Sequence, residues 1–249
     1  FQSHIPSTYL IVSVVGPLVL YGGYSGPTGT IDDARPAHSV TAFDAGMDLS
    51  AVAAGFASDV AAYLSEVGLP ATATIGLERT SPSGHVALTD ANLRVVDADP
   101  ALELARSRKS PLELDALRYS IDVAEHGMAA MEGALVPGIS ENQLWSILHQ
   151  VNIAHDGDWI DGRMLCSGPR TNPWYQEASD RAIRVGDLVP FDTDMIGPFG
   201  YCADISRTFL CGGVPPTAEQ SDLYELARAE IKHNTALLHV GASFRELSQ

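Results

Sequence analysis

Residues 186–210 read Gly186-Asp187-Leu188-Val189-Pro190-Phe191-Asp192-Thr193-Asp194-Met195-Ile196-Gly197-Pro198-Phe199-Gly200-Tyr201-Cys202-Ala203-Asp204-Ile205-Ser206-Arg207-Thr208-Phe209-Leu210. Leu188–Ile196 is an apolar strand interrupted by two acids. Side chains along a strand alternate with a period of two, so Asp192 and Asp194 are expected on one face. Gly197-Pro198-Phe199-Gly200 is turn chemistry. The return strand, Tyr201–Leu210, carries Asp204 near its start. A hairpin centred near Phe199 puts Asp194 about opposite Asp204 and gathers three carboxylates in one patch. Like charges opposed on a sheet destabilise it, and carboxylates in apolar surroundings need a partner, a proton or a cation. Spacing alone leaves three readings open. The acids could cap turns and keep a solvent-facing edge soluble, share a proton, or hold one or two divalent metal ions.

Upstream of the hairpin the sequence is helical. Ser110-Pro111-Leu112-Glu113 combines a capping residue, a first-turn proline and a capping-box glutamate. Leu117, Ile121, Ala124, Met128, Met131 and Leu135 then keep helical spacing until Pro137-Gly138. Ser140 to Gln143 opens a helix carrying Leu144, Ile147, Leu148 and Val151. Thr217 to Gln220 opens another carrying Leu223, Leu226, Ala227 and Ile231, and Ser243–Gln249 reads as the first turn of one more. Arg106, Arg108 and Lys109 before Ser110 read as a solvated helix entry. A domain boundary is placed there, dividing the chain into residues 1–108 and 109–249.

The first of these segments alternates short apolar runs with Gly, Pro and Asp, an α/β pattern without evident chemistry. Val52, Phe56, Val60 and Leu64 fall on one helix face, with Gly68 as a C-terminal stop. Thr72–Leu77 and Val95–Val96 look like strands. Tyr9–Tyr21 is shorter than the ~20 residues of a membrane-spanning helix and is broken by Gly16-Pro17. It is better read as strands Tyr9–Val15 and Leu18–Tyr21, and with no basic segment before it a signal peptide is not expected.

The 249 residues carry 15 Lys+Arg against 31 Asp+Glu, a formal net charge of −16. A surface this acidic excludes a duplex nucleic-acid binder, because phosphate contacts dominate such binding. The three cysteines, Cys166, Cys202 and Cys211, have no CxxC spacing and suit a reducing compartment, so a cytoplasmic protein is expected. Each is expected to be a core residue.

The run Gly186-Asp187-Leu188-Val189 … Phe191-Asp192-Thr193-Asp194 … Gly200-Tyr201-Cys202-Ala203-Asp204-Ile205-Ser206-Arg207-Thr208-Phe209 resembles the signature of the pita-bread metalloenzymes. That superfamily includes methionine aminopeptidase, Xaa-Pro aminopeptidase, prolidase and creatinase. The resemblance implies an α+β fold: part of a creatinase-type N-terminal α/β domain, then the first half of a pita-bread catalytic domain. It also implies a pair of bridged divalent ions (Mn, Fe, Co or Zn) held by two hairpin Asp, a His and two Glu. The second Asp corresponds to Asp204, and the first to Asp192 or Asp194, both of which are candidates. The His and the two Glu are expected beyond Gln249, since none of the eight His here looks like a substitute. His233 and His239 read as helix-surface residues. The sequence thus reads as cut at both ends and as half a site, inactive alone.

Two features depart from the peptidase pattern. The segment Ser167-Gly168-Pro169-Arg170-Thr171-Asn172-Pro173-Trp174-Tyr175-Gln176-Glu177 lacks the substrate-binding His of those enzymes. Trp174 or Tyr175 stands about where it would fall, offering an aromatic face suited to a cation or an apolar group, or else ordinary packing. The second departure is the Asp pair two residues apart. Both features resemble the dimethylsulfoniopropionate lyases built on this fold. The resemblance therefore implies an Xaa-Pro aminopeptidase- or prolidase-like hydrolase of short peptides or small molecules, forming a homodimer. The alternatives are a lyase releasing dimethyl sulfide and acrylate, and a non-catalytic binding module.

Overall fold

The computed structural model describes residues 8–22, 31 and 33–248, and the chain divides into two compact units, residues 1–110 and 111–249. In the first unit, β1 (Tyr9–Ile11) pairs antiparallel with β2 (Val19–Tyr21), and β2 pairs parallel with β3 (Asp33–Arg35). The two expected strands before Gly22 are therefore present, but shorter than their apolar runs. After the short α1 (Ala42–Ala45), α2 (Leu49–Glu66) buries Ala53, Phe56, Ala57, Val60, Tyr63 and Leu64. This is the face its spacing predicts, because residues three and four apart stack on one side of a helix. Strands β4 (Thr74–Leu77) and β5 (Arg94–Asp97) pair in parallel across α3 (Pro82–Asp90), and α4 (Asp99–Ser107) follows. Leu88 and Leu93 close the core over α2.

In the second unit α5 (Pro111–Ala134) and α6 (Glu141–Ala154) cover the hairpin. Helix α6 opens with the capping box expected at Ser140 and Gln143. The buried stripe of α5 is Ser120, Val123, Ala124, Gly127, Met128 and Met131. Ile121 lies on the exposed side instead, at 39%, because the stripe runs through its neighbours at positions 120, 123, 124 and 127. The strand expected over Leu188–Ile196 is split into β6 (Leu188–Asp192) and β7 (Met195–Ile196). Its partner is likewise split into β8 (Cys202–Ala203) and β9 (Ser206–Leu210). β6 pairs with β9 and β7 with β8, both antiparallel.

Register is continuous across the gap. Asp192 faces Ser206 and Met195 faces Ala203, so Thr193 stands opposite Ile205 and Asp194 opposite Asp204. Val189, Phe191, Met195 and Ala203 enter a core shared with Met131, Leu144 and Leu148. The turn is anchored to α5, where Ser120 Oγ donates to the Pro198 carbonyl (3.2 Å) and the Tyr201 hydroxyl to Glu113 Oε1 (3.0 Å). Gly200 takes φ +75, a conformation that side-chain-bearing residues rarely adopt.

Helix α7 (Ala218–Ala236) has the predicted capping box at Thr217 and Gln220, yet none of its residues is buried. Leu223, Leu226 and Ile231 are 58%, 57% and 66% exposed, so its apolar spacing marks a face rather than a core. α8 (Phe244–Leu247) is the helix opening expected there, with Ser243 and Glu246 as a capping box. Gln249, the last residue of that expectation, lies outside the described residues. Among the described residues no helix is long and apolar enough to cross a membrane.

The hairpin approaches α5 too closely for a side chain at Gly197, where an added Cβ would come 2.7 Å from Ser120 Oγ and 2.9 Å from Ser120 Cβ. Gly197→Ala should therefore destabilise the second unit by roughly 1–3 kcal/mol through overpacking. Chemical denaturation followed by Trp fluorescence checks this, and an unchanged midpoint would contradict the close approach.

Candidate metal centre

β6 alternates as its sequence demands. Val189 and Phe191 are fully buried, while Leu188, Pro190 and Asp192 lie on the other, half-buried face. The alternation continues past the end of β6, with Thr193 and Met195 buried and Asp194 half-buried between them. Asp194 adopts φ +36, a left-handed conformation that Asp tolerates better than most side chains. The neighbouring segment secures this bend: Asp161 N–H donates to the Asp194 carbonyl (3.0 Å) and Asp192 N–H to the Met164 carbonyl (2.9 Å). Isolated bridges Ile160–Met195 and Leu165–Phe191 hold the same segment along the strand. Asp192 and Asp194 thus share the half-buried face, as the period of two predicts, although the strand between them is interrupted by the bend at Asp194.

One carboxylate oxygen each from Asp192, Asp194 and Asp204 lies within 4.8 Å of the others. Ser206 Oγ donates to Asp192 Oδ1 (3.0 Å). The Asp204 carboxyl is raised from an ordinary 3.8 to about 6, first because Asp192 is its hydrogen-bond partner, then by burial and by the charges of Asp192 and Asp194. Asp194 is raised too, by burial and then by the charges of Asp192 and Asp161. The trio therefore resists full ionisation unless positive charge joins it. A set of hard oxygen donors at this separation fits a divalent cation such as Mn, Fe or Co.

Asp161 lies outside the hairpin motif that carries the other three acids. It acts on Asp194 across a gap in sequence that no strand or helix period spans, and only the pairing of residues 160–165 with the hairpin brings it near. The turn at Asp161-Gly162, with Gly162 at φ +70, was the available local signal.

Trp174 and Tyr175 sit in a loop with deep anchorage. Glu141 has no exposed surface and accepts from Ser167 Oγ (2.6 Å), Ser179 Oγ (2.6 Å), Ser179 N–H (3.0 Å) and the Arg170 guanidinium. Burial alone would push the Glu141 carboxyl up, but these hydrogen bonds outweigh it and hold it below its ordinary value. Arg170 also reaches Ser179 Oγ (3.0 Å) and the Glu177 carbonyl (2.8 Å), so both ends of the loop are tied to one carboxylate. Trp174 is half-buried, whereas Tyr175 is 81% exposed with φ +68, and their rings tilt toward each other at 6.3 Å. Tyr175 is therefore a presented side chain, and core packing does not describe it. Cys166 and Cys211 are buried as expected, but Cys202 is exposed, one residue from the turn. His233 lies on α7, whereas His239 falls beyond the end of that helix.

The profile of metallopeptidase family M24 matches residues 115–249, more than half of the sequence, and the chain belongs to that family. Over its whole length it is 31% identical to the dimethylsulfoniopropionate lyase DddP of Roseovarius nubinhibens, and it spans 58% of that protein's length. Among solved structures, proline aminopeptidase P II of Yersinia pestis superposes with a TM-score of 0.71 at 22% identity, covering 93% of this chain and 56% of that one. The prolidase of Pyrococcus horikoshii gives 0.68 at 19% identity, covering 91% and 60%. The fold is thus the α+β pita-bread architecture of the aminopeptidase P and prolidase structures.

Two outcomes follow. Because the folded-state value of Asp204 lies above its unfolded one, its stabilising contribution is complete below about pH 4 and is lost as pH rises through about 6. Asp204→Asn should therefore flatten the loss of Tm of the metal-free protein between pH 4 and 7. The gain at pH 7 should be about 1 kcal/mol, the nominal shift being cut by solvent screening. Equal Tm differences at pH 4 and pH 7 would contradict this. Glu141→Ala, which strands Arg170 and two serines, should cost roughly 3–5 kcal/mol in urea denaturation.

Proposed function

We propose that this chain supplies part of a dinuclear, divalent-metal-dependent enzyme acting on a short peptide or small molecule, and that its leading activity is hydrolysis of Xaa-Pro substrates. The single observation that carries this is the convergence of Asp192, Asp194 and Asp204 within 4.8 Å. Bound there, divalent ions would lower the pKa of a bound water and polarise the substrate. The three carboxylates would hold the ions, and Asp161 beside them would add negative charge to the rim. Hydrolysis would add water across the C–N bond to proline, the C–O bond forming as the C–N bond breaks and the amine leaving with a proton. The further His and Glu ligands implied by the family resemblance would come from the part of such an enzyme that this chain does not span. We assign residues 1–108 to a partial creatinase-type N-terminal domain and 109–249 to a partial catalytic domain. A homodimer in the cytoplasm, with Mn, Fe, Co or Zn as the metal, completes the reading.

A second reading is favoured by two specific observations. Similarity to the DddP lyase runs over the whole chain, and Tyr175 is presented beside Trp174 on an anchored loop. An aromatic face attracts a cation such as a sulfonium. In that reaction a base removes the proton next to the carboxylate, a C=C bond forms, and the C–S bond breaks to release dimethyl sulfide and acrylate.

The deciding experiment offers the Mn²⁺-loaded full-length protein Xaa-Pro dipeptides and dimethylsulfoniopropionate separately. Release of proline supports the first reading and dimethyl sulfide the second. Asp194→Ala and Asp204→Ala should each lower the observed activity at least a hundredfold and reduce bound metal. If the wild type holds no more metal than these variants, a non-catalytic binding module is the better description.

A further inference from the structure

The gap in the hairpin ladder is bridged by a side chain. Thr193 is fully buried. Its Oγ1 donates to the Ala203 carbonyl (2.7 Å) and accepts from Ile205 N–H (2.9 Å). A threonine hydroxyl has one hydrogen to give, and here it is spent on one flank of Asp204 while a lone pair takes the other flank. The same residue lies between Asp192 and Asp194 in the chain. Thr193 thus neighbours Asp192 and Asp194 in the chain and binds the main chain on both sides of Asp204.

The position is unusual for a hairpin. In an unbroken antiparallel pair the main chain makes the cross-strand bonds. Here β6 ends at Asp192 and β7 begins at Met195, while Asp194 turns to φ +36. The bend aims the Asp194 carboxylate at its neighbours but interrupts the main-chain pairing. Thr193 Oγ1 replaces what the bend removes, and its branched Cβ still suits extended backbone. Register is consequently preserved across the gap, with β6–β9 and β7–β8 in step.

We infer that Thr193 is the positioning residue of the metal centre: its hydroxyl clamps both flanks of Asp204 and so fixes that carboxylate against Asp192 and Asp194. This rests on the metal-centre reading above. Side chains that orient ligands from behind commonly govern metal affinity by about ten- to a hundredfold. Thr193→Val keeps the shape and removes the hydroxyl, whereas Thr193→Ser keeps the hydroxyl.

The test is Mn²⁺ titration of the full-length protein by calorimetry, alongside thermal denaturation of the metal-free form. Thr193→Val should weaken Mn²⁺ binding about tenfold or more, and Thr193→Ser should restore it to within about threefold of wild type. Met131→Ala, a truncation on the α5 side of the core that leaves the Thr193 hydrogen bonds in place, serves as a control for lost stability and should leave Mn²⁺ affinity unchanged. If Thr193→Val binds as tightly as wild type, or weakens no more than Met131→Ala, the positioning role is overturned while the metal centre stands. If the wild type itself binds no Mn²⁺, it is the metal-centre reading that fails. Should Thr193→Val not fold, amide exchange of the wild type reads the clamp directly: Ile205 N–H should exchange slowly, and fast exchange overturns the inference.

Discussion

The antiparallel register between residues 188–196 and 202–210 is the constraint on which the second unit depends. A slip of one residue would move every side chain of the hairpin to the opposite face. Val189, Phe191 and Met195 would leave the core beneath α5 and α6, and the carboxylates would be driven into it. Burial of those apolar side chains, each worth about 1.5–3 kcal/mol, therefore fixes the placement of the acids indirectly. The turn at Pro198–Gly200 and its attachments to Ser120 and Glu113 lock the same register from the other end.

Against that favourable burial stands an unfavourable electrostatic assembly. Three carboxylates converge, and the charge of Asp161 bears on one of them. The chain accepts this by interrupting its own ladder, bending at Asp194 and letting Thr193 restore the lost pairing. Such a conflict between local rules and the folded arrangement is typical of sites retained for function. A proton on Asp204 relieves it partly, and a divalent cation would relieve it more fully while giving each oxygen a partner.

The aromatic loop follows a different logic. Apart from a 3-10 turn at Gly168–Thr171 and a bridge at Glu177 it is irregular from Ser167 to Ser179, yet its ends converge on the buried Glu141, whose serine and arginine partners satisfy its oxygens. A buried charge with several hydrogen bonds gives a definite conformation to a segment with little secondary structure of its own. Tyr175 can consequently be held outward while Trp174 stays half-buried beside it.

Much of this was legible in the sequence because it depends on local periodicity. The capping boxes at Ser140 and Thr217, the helix opening at Ser243, the buried face of α2 and the hairpin centred on Phe199 all follow from spacing over a few residues. So does the opposition of Asp194 and Asp204, since antiparallel register is set by the turn. The motif around Asp204 likewise pointed to the metallopeptidase superfamily. Tertiary structure alone decided the rest. It bent the strand at Asp194, brought Asp161 to the acidic cluster, buried Glu141 under Arg170 and turned Thr193 into a cross-strand bridge. Each of these joins segments separated in the chain or departs from regular backbone. Their energies come from partners that no periodic pattern identifies, so the folded arrangement had to be seen before they could be.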